Sequence, residues 1–254
     1  MKRIQSTKNP QVKEWKKLLT KKGQEKMGLF LIEGFHLVEE ALKSHAPLVE
    51  LIVDEKKEIP PSWNAGHLPV TIVTEEVMKA ISDTETPQGI AAVCEQFSYG
   101  DIDWTQANVL LIDAVQDPGN IGTMIRTADA AGIDAVILGE GCADLYNPKV
   151  IRATQGSLFH LPIIRGNLRE WIERLCEKNV AIYGTALENG EDYRHIKPAR
   201  PFALLVGNEG SGVHKKLLQM TTKNLYIPIY GQAESLNVAV AAGILLYHLQ
   251  DAKA

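Results

Sequence analysis

Short apolar runs alternate along this chain with longer stretches whose apolar residues recur at helical spacing. Val12, Trp15, Leu18 and Leu19, set among lysines, predict a helix over 10–22. Phe30–Gly34 reads as a strand and turn, and Leu37, Val38, Ala41 and Leu42 supply the apolar stripe of a second helix. Strands are expected at Val49–Val53 and Val70–Val73. Thr74 then fits an N-cap for a helix, and Gly89–Cys94 is a further buried strand. Residues 97–107 break the pattern with Gly, Ser and Asp and mark a domain boundary. Beyond it, strands are predicted at Val109–Ile112, Ala135–Leu138, Leu161–Ile164, Val180–Gly184, Ala203–Val206 and Leu225–Ile229. Helices are predicted at 120–131, 148–155, Leu168–Lys178, Val213–Gln219 and Asn237–Gln250. Strands that alternate with helices imply the α/β class, with a mainly parallel sheet covered on both faces.

Composition narrows the function classes. An apolar fraction of 45% and a charged fraction of 23% are those of a folded globular protein. No apolar stretch approaches the roughly 20 residues of a membrane span. The polar opening Met1–Gln5 has no apolar core of a secretory signal, so a cytoplasmic protein is expected. Cys94, Cys142 and Cys176 are widely separated and suggest neither a metal site nor a disulfide framework. The net charge of −4 is unevenly distributed. Nine basic residues against Glu14 and Glu25 make residues 1–26 +7 and leave −11 for the remainder. Such a segment suits a polyanion, and equally a solvated helix face.

Three polar segments follow apolar runs in the second half, where strand ends of an α/β protein bind ligands. The first is Asp117-Pro118-Gly119-Asn120-Ile121-Gly122, leading to Arg126. The second is Gly207-Asn208-Glu209-Gly210-Ser211-Gly212, and the third Ser235-Leu236-Asn237. Each alone has a plain structural reading: Asn120 or Ser235 as an N-cap, the glycine loop as a tight turn with a solvated glutamate. The glycine loop has neither the lysine of a P-loop nor the GxGxxG spacing, which disfavours a nucleoside triphosphate or a dinucleotide. His160, beside apolar residues, reads as structural. No Ser-His-Asp or His-Glu-x-x-His pattern supports hydrolysis or metal catalysis.

Taken together, in this order and spacing, the three segments resemble the motifs of the SpoU/TrmH branch of the SPOUT RNA methyltransferases. The likeness covers 107–254 as the methyltransferase domain. Phe30–Leu42 and Pro87–Val93 resemble the family's accessory domain, giving a substrate-binding domain at 1–96 and a linker at 97–106. The resemblance implies S-adenosylmethionine-dependent methylation of a ribose 2′-hydroxyl in RNA, ribosomal RNA before transfer RNA. It also implies a deep C-terminal trefoil knot and a homodimer; with no membrane-length apolar stretch and no metal motif, neither a membrane nor a metal partner is expected. It places the cofactor among Thr185, Ala186, Gly207, Asn208, Glu209, Gly210, Ile227 and Leu236. Asn120, Arg126, Glu209, Ser235 and Asn237 are its polar active-site positions, with Glu209 expected to orient Arg126 and with Ser235 and Asn237 to hold the ribose. The basic N-terminal segment becomes an RNA contact. A non-catalytic RNA-binding or assembly protein and a base-directed SPOUT enzyme are the alternatives.

Overall fold

The computed structural model describes residues 2–63, 65–97 and 99–251. The first part of the chain forms β1 (Lys2–Ile4), α1 (Pro10–Lys17), α2 (Lys21–Met27), β2 (Leu29–Glu33), α3 (Phe35–Lys43), β3 (Leu48–Asp54), β4 (Val70–Val73), α4 (Glu75–Ile81) and β5 (Ile90–Glu95). Next come β6 (Val109–Ile112), α5 (Pro118–Ala130), β7 (Ala135–Leu138), α6 (Pro148–Thr154), β8 (Ile163–Arg165) and α7 (Leu168–Glu177). The chain continues with β9 (Ala181–Thr185), β10 (Glu191–Asp192), β11 (Phe202–Val206), α8 (Lys215–Leu218), β12 (Lys223–Tyr226) and α9 (Val238–Gln250). These elements belong to two compact units: Met1–Ser98 with Asp144–His160, and Tyr99–Ala143 with Leu161–Ala254.

The first unit has a mixed sheet in the order β1-β4-β3-β5-β2. β1, β4 and β3 run parallel, while β5 is antiparallel to β3 and β2. Val12, Trp15 and Leu18 pack with Val77, Met78 and Ile81 over Ile52 and Val93 in its core. The segment 144–160 is integral to this unit. The Tyr146 ring lies 4.5 Å from that of Phe30, Arg152 pairs with Asp83 at 2.9 Å, and His160 meets Glu40 at 3.3 Å. The structural reading of His160 agrees with that contact.

The sequence-based helix over 10–22 is two helices. α1 ends at Lys17, and the Thr20 hydroxyl accepts from the Gly23 N–H to start α2, which closes on Gly28 at φ 64°. β1 was not expected, because Ile4 is its only apolar residue; parallel pairing to β4 makes it a strand. This changes the reading of the basic segment. It is not an appendage, since Ile4, Val12, Trp15 and Leu18 are buried in the core. Its lysines are nonetheless on the surface. Lys17 and Lys21 pair with Glu14 and Glu25, whereas Lys13, Lys16, Lys22 and Lys26 make no ion pair among the described residues.

The second unit is built on a wholly parallel sheet in the order β10-β12-β9-β11-β6-β7-β8. Its central strands are fully buried runs, as a sheet covered on both faces requires. Leu168, Ile172 and Leu175 of α7 cover one part of it beside Leu111, Ile182 and Leu205. From β6 the chain moves outward through β7 to β8, then returns to the other side of β6 with β9 and β11. The direction of winding therefore reverses at β6 and β11, where an open parallel sheet binds ligands outside its carboxyl edge.

Several elements differ from the pattern-based reading here: β8 begins at Ile163 instead of Leu161, just after Pro162, and α8 covers only Lys215–Leu218 of the expected Val213–Gln219. The strand expected at Leu225–Ile229 is β12, which starts two residues earlier and ends three earlier, at Tyr226, because Pro228 brings no N–H to a ladder. The two-residue, polar β10 has no periodicity to betray it. The three cysteines are free, and burial pushes the Cys94 thiol far above its ordinary range. No helix among the described residues is long and apolar enough to cross a membrane.

Candidate active site

The carboxyl edge of the parallel sheet carries all three polar segments. Ile112 ends β6 before the turn into α5, Val206 ends β11 before the glycine loop, and Tyr226 ends β12 before the connection to α9. Helices α5 and α9 lie against each other. A Cβ on Gly243 of α9 would sit 3.4 Å from Thr127 of α5, and Tyr247 and Gln250 donate to the Ala130 and Gly132 carbonyls at 3.4 and 3.1 Å.

One directed hydrogen-bond chain joins the starts of these helices. Asn237 is the N-cap of α9, and its Oδ1 accepts from the N–H groups of Ala239 (2.9 Å) and Val240 (3.3 Å). Its Nδ2 therefore faces outward and donates to Asn120 Oδ1 at 2.9 Å. Asn120 Nδ2 in turn donates to Glu209 Oε1 at 3.0 Å. Backbone donors fix one end of this chain and a carboxylate, an acceptor only, fixes the other, so both amide orientations are determined. The backbone N–H groups of Asp117 and Gln116 also point to Glu209, at 3.3 and 3.5 Å. Burial pushes the Glu209 carboxyl up, but these donors outweigh it and hold the group below its ordinary range. A carboxylate anchored by N–H groups at the start of α5 also complements that helix's dipole.

Both capping assignments made from sequence are corrected. Asp117, not Asn120, caps α5: its Oδ1 accepts from the Asn120 N–H at 2.8 Å, with Pro118 opening the helix. Asn237, not Ser235, caps α9. In each case the true cap frees or orients a neighbouring side chain that the simpler reading would have tied to the backbone.

The glycine loop has a different logic from backbone freedom alone. Of its glycines, Gly212 is the one at positive φ, 68°. Gly207 is required by close approach, since a Cβ there would meet Val213 N at 2.2 Å. At Gly210 a Cβ would meet nothing nearer than 3.7 Å, so the loop is open on that side. Asn208 shapes the turn. It exchanges backbone bonds with Gly212, accepts from the N–H groups of Gly210 (3.0 Å) and Ser211 (3.1 Å), and donates to the Ala114 carbonyl (2.8 Å).

Arg126 and Ser235 stand apart. Both are exposed, and neither side chain makes a hydrogen bond or ion pair among the described residues. Glu209 is bonded to Asn120, to Asn208 and to the backbone N–H groups of Asp117 and Gln116, and no bond joins it to Arg126 among the described residues. Arg126 lies six residues beyond Asn120, about 9 Å along α5 and on another face of the helix. Among the expected cofactor contacts, Thr185 bonds the Leu205 carbonyl at 3.2 Å and the Ala186 N–H bonds Leu225. Ile227 is half-buried and Leu236 is 39% exposed, leaving apolar surface at the same edge.

Sequence reasoning missed Asp113. This buried carboxylate at the end of β6 accepts from the His214 backbone N–H and ring Nδ1, each at 2.8 Å, and clasps the base of the glycine loop. An aspartate directly after an apolar strand was the available signal. A further group, His36, Glu39 and Glu40, has ligand-type atoms within 4.8 Å of one another, but Lys43 already pairs with both glutamates.

Comparison with known proteins places the chain among RNA methyltransferases. The model of the SpoU rRNA Methylase family matches residues 107–247, and that of the MRM3-like substrate binding domain matches residues 9–92. The chain is 54% identical to the 23S rRNA (guanosine(2553)-2'-O)-methyltransferase RlmP of Bacillus subtilis, over 98% of this chain and 100% of that protein. Among solved structures, an AdoMet-bound rRNA methyltransferase from Sinorhizobium meliloti superimposes with a TM-score of 0.89 at 34% identity, covering 100% of this chain and 98% of the other. The SpoU methyltransferase AviRb from Streptomyces viridochromogenes, in complex with AdoMet, gives 0.83 at 27% identity over 96% and 98%.

Proposed function

The chain belongs to the SpoU rRNA methylase family and is an S-adenosylmethionine-dependent RNA 2′-O-ribose methyltransferase; we propose that it modifies 23S rRNA at the guanosine corresponding to position 2553. The single observation that carries the site assignment is the Asn237–Asn120–Glu209 chain, which fastens together the three segments that define the family likeness.

The edge of the sheet fits the cofactor. Ile227 and Leu236 offer apolar surface for an adenosine, and the open side of the loop at Gly210 leaves room for close backbone approach. S-adenosylmethionine supplies an activated sulfonium methyl when bound, which leaves the protein mainly a task of alignment. Asn120, Glu209 and Asn237 are braced against one another, so their role is to hold α5, the glycine loop and α9 in one fixed frame. Arg126 and Ser235 are the groups free to meet RNA. A guanidinium stays protonated, so Arg126 acts by stabilising the charge that develops on the ribose oxygen, with a phosphate of the substrate accepting the proton. Ser235 bonds the ribose.

The same reading gives the first unit a role in RNA binding through Lys13, Lys16, Lys22 and Lys26. It also makes the protein a cytoplasmic homodimer with a knotted methyltransferase domain. The test of function is methyl mapping. Ribosomal RNA from cells lacking the gene is incubated with the protein and labelled cofactor, then hydrolysed with alkali. A single alkali-resistant linkage after the proposed guanosine is expected. Label in a base, or none in any RNA, would reject the assignment.

A further inference from the structure

Outside the braced frame, one side chain is unusual in being both well anchored and almost wholly open. Tyr230 lies on the connection between β12 and α9 that also carries Ser235, and 82% of its surface is exposed. Its hydroxyl accepts from Arg194 Nη1 at 2.6 Å, and the guanidinium carbon lies 5.8 Å from its ring centroid. Arg194 is itself locked. The buried carboxylate of Asp192 accepts from Arg194 Nε at 3.0 Å and Nη2 at 2.6 Å. A solvent-facing aromatic ring thus has its position set by two further side chains rooted in the sheet edge.

We propose that Tyr230 is a stacking platform for an unpaired nucleobase next to the methylated nucleotide, with Arg194 as its positioning residue. Sequence-tolerant recognition of single-stranded RNA uses aromatic faces for bases and cations for phosphates. Both are present. Of the five N–H donors of a guanidinium, Arg194 uses Nε, one on Nη2 and one on Nη1, leaving two for a phosphate oxygen. Five residues separate Tyr230 from Ser235, at most about 18 Å of chain. Stacked bases rise about 3.4 Å each, so the platform serves a base within a few nucleotides of the target ribose. The proposal rests on the RNA methyltransferase reading and deepens it.

The test uses the full-length protein and a single-stranded oligoribonucleotide spanning the proposed guanosine, with 2-aminopurine at flanking positions. Stacking on Tyr230 quenches the fluorescence at one of them. Tyr230→Ala should abolish that quenching and raise KM for RNA about tenfold, within the range measured for base–aromatic stacking, at unchanged affinity for S-adenosylmethionine. Tyr230→Phe keeps the ring and should stay within about twofold of wild type. Arg194→Gln should weaken quenching partially. Equal quenching and equal KM in wild type and Tyr230→Ala would overturn the proposal. So would a change of sedimentation coefficient in Tyr230→Ala, because the ring would then cover a second copy of the chain. Quenching needs binding alone, so quenching without methyl transfer condemns the catalytic reading and leaves this one standing.

Discussion

Asn120, Glu209 and Asn237 on one side, and Arg126 and Ser235 on the other, share one edge of a parallel sheet and differ in whether they have partners. The first three are bonded to one another and to backbone, so the folded chain sets their positions before any ligand arrives. The side chains of the last two are exposed to water and have no hydrogen-bond or ion-pair partner among the described residues. An unpaired guanidinium on a helix surface costs little while water solvates it, and it forms strong, charge-assisted bonds once a substrate displaces that water. On the proposed reading, the contrast separates residues that would build the site from residues that would work in it, though all five lie in the segments that resemble the family's motifs.

The largest effect expected from this division is on turnover. Arg126→Lys keeps the charge but loses the planar fork, and should slow single-turnover methyl transfer about 10²- to 10³-fold. Cofactor affinity by calorimetry should not change; a near-normal transfer rate would remove Arg126 from the chemistry. Asn237→Ala attacks the frame instead. It removes a helix cap and a side-chain bond, each worth about 1 kcal/mol, and should lower unfolding free energy in urea by about 2 kcal/mol. Replacing Lys13, Lys16, Lys22 and Lys26 with Gln should leave folding intact and flatten the salt dependence of RNA binding. The log–log slope should fall by about 0.7 for each phosphate that is no longer neutralised. An unchanged slope would exclude those lysines from the interface.

The smallest effect expected is a pH dependence. Glu209 is held below its ordinary value of 4.5 in the folded protein. Its contribution to stability is therefore complete above the unfolded value and is lost as pH falls through the lower folded one. The stability difference between wild type and Glu209→Gln should be constant from pH 8 to 6 and shrink only below about pH 4.5. Shrinkage at neutral pH would mean that Glu209 is not held as an anchored anion.

What the sequence made legible follows from physical scale. Buried strands such as Val109–Ile112 and Ala135–Leu138 are continuous apolar runs, and both appear where the pattern places them. The site segments were visible because polar residues interrupt such runs abruptly. Their internal wiring was not. Whether Asp117 or Asn120 caps α5 depends on a shift of three residues within one polar stretch, which no periodicity encodes. The pairing of Glu209 with Asn120 joins residues 89 positions apart, and only the parallel order of β11 beside β6 brings them together. β1 was invisible for a related reason: its strand character comes from β4, not from its own three residues.

The division between frame and working residues is tested most directly by two double-mutant cycles on unfolding free energy. One pairs Asn120→Ala with Glu209→Ala; the other pairs Arg126→Ala with Glu209→Ala. The hydrogen-bonded pair should show a coupling of about 1 kcal/mol, and the Arg126 pair should be additive to within about 0.5 kcal/mol. A larger coupling for Arg126 with Glu209 than for Asn120 with Glu209 would contradict the account, by making the arginine part of the frame.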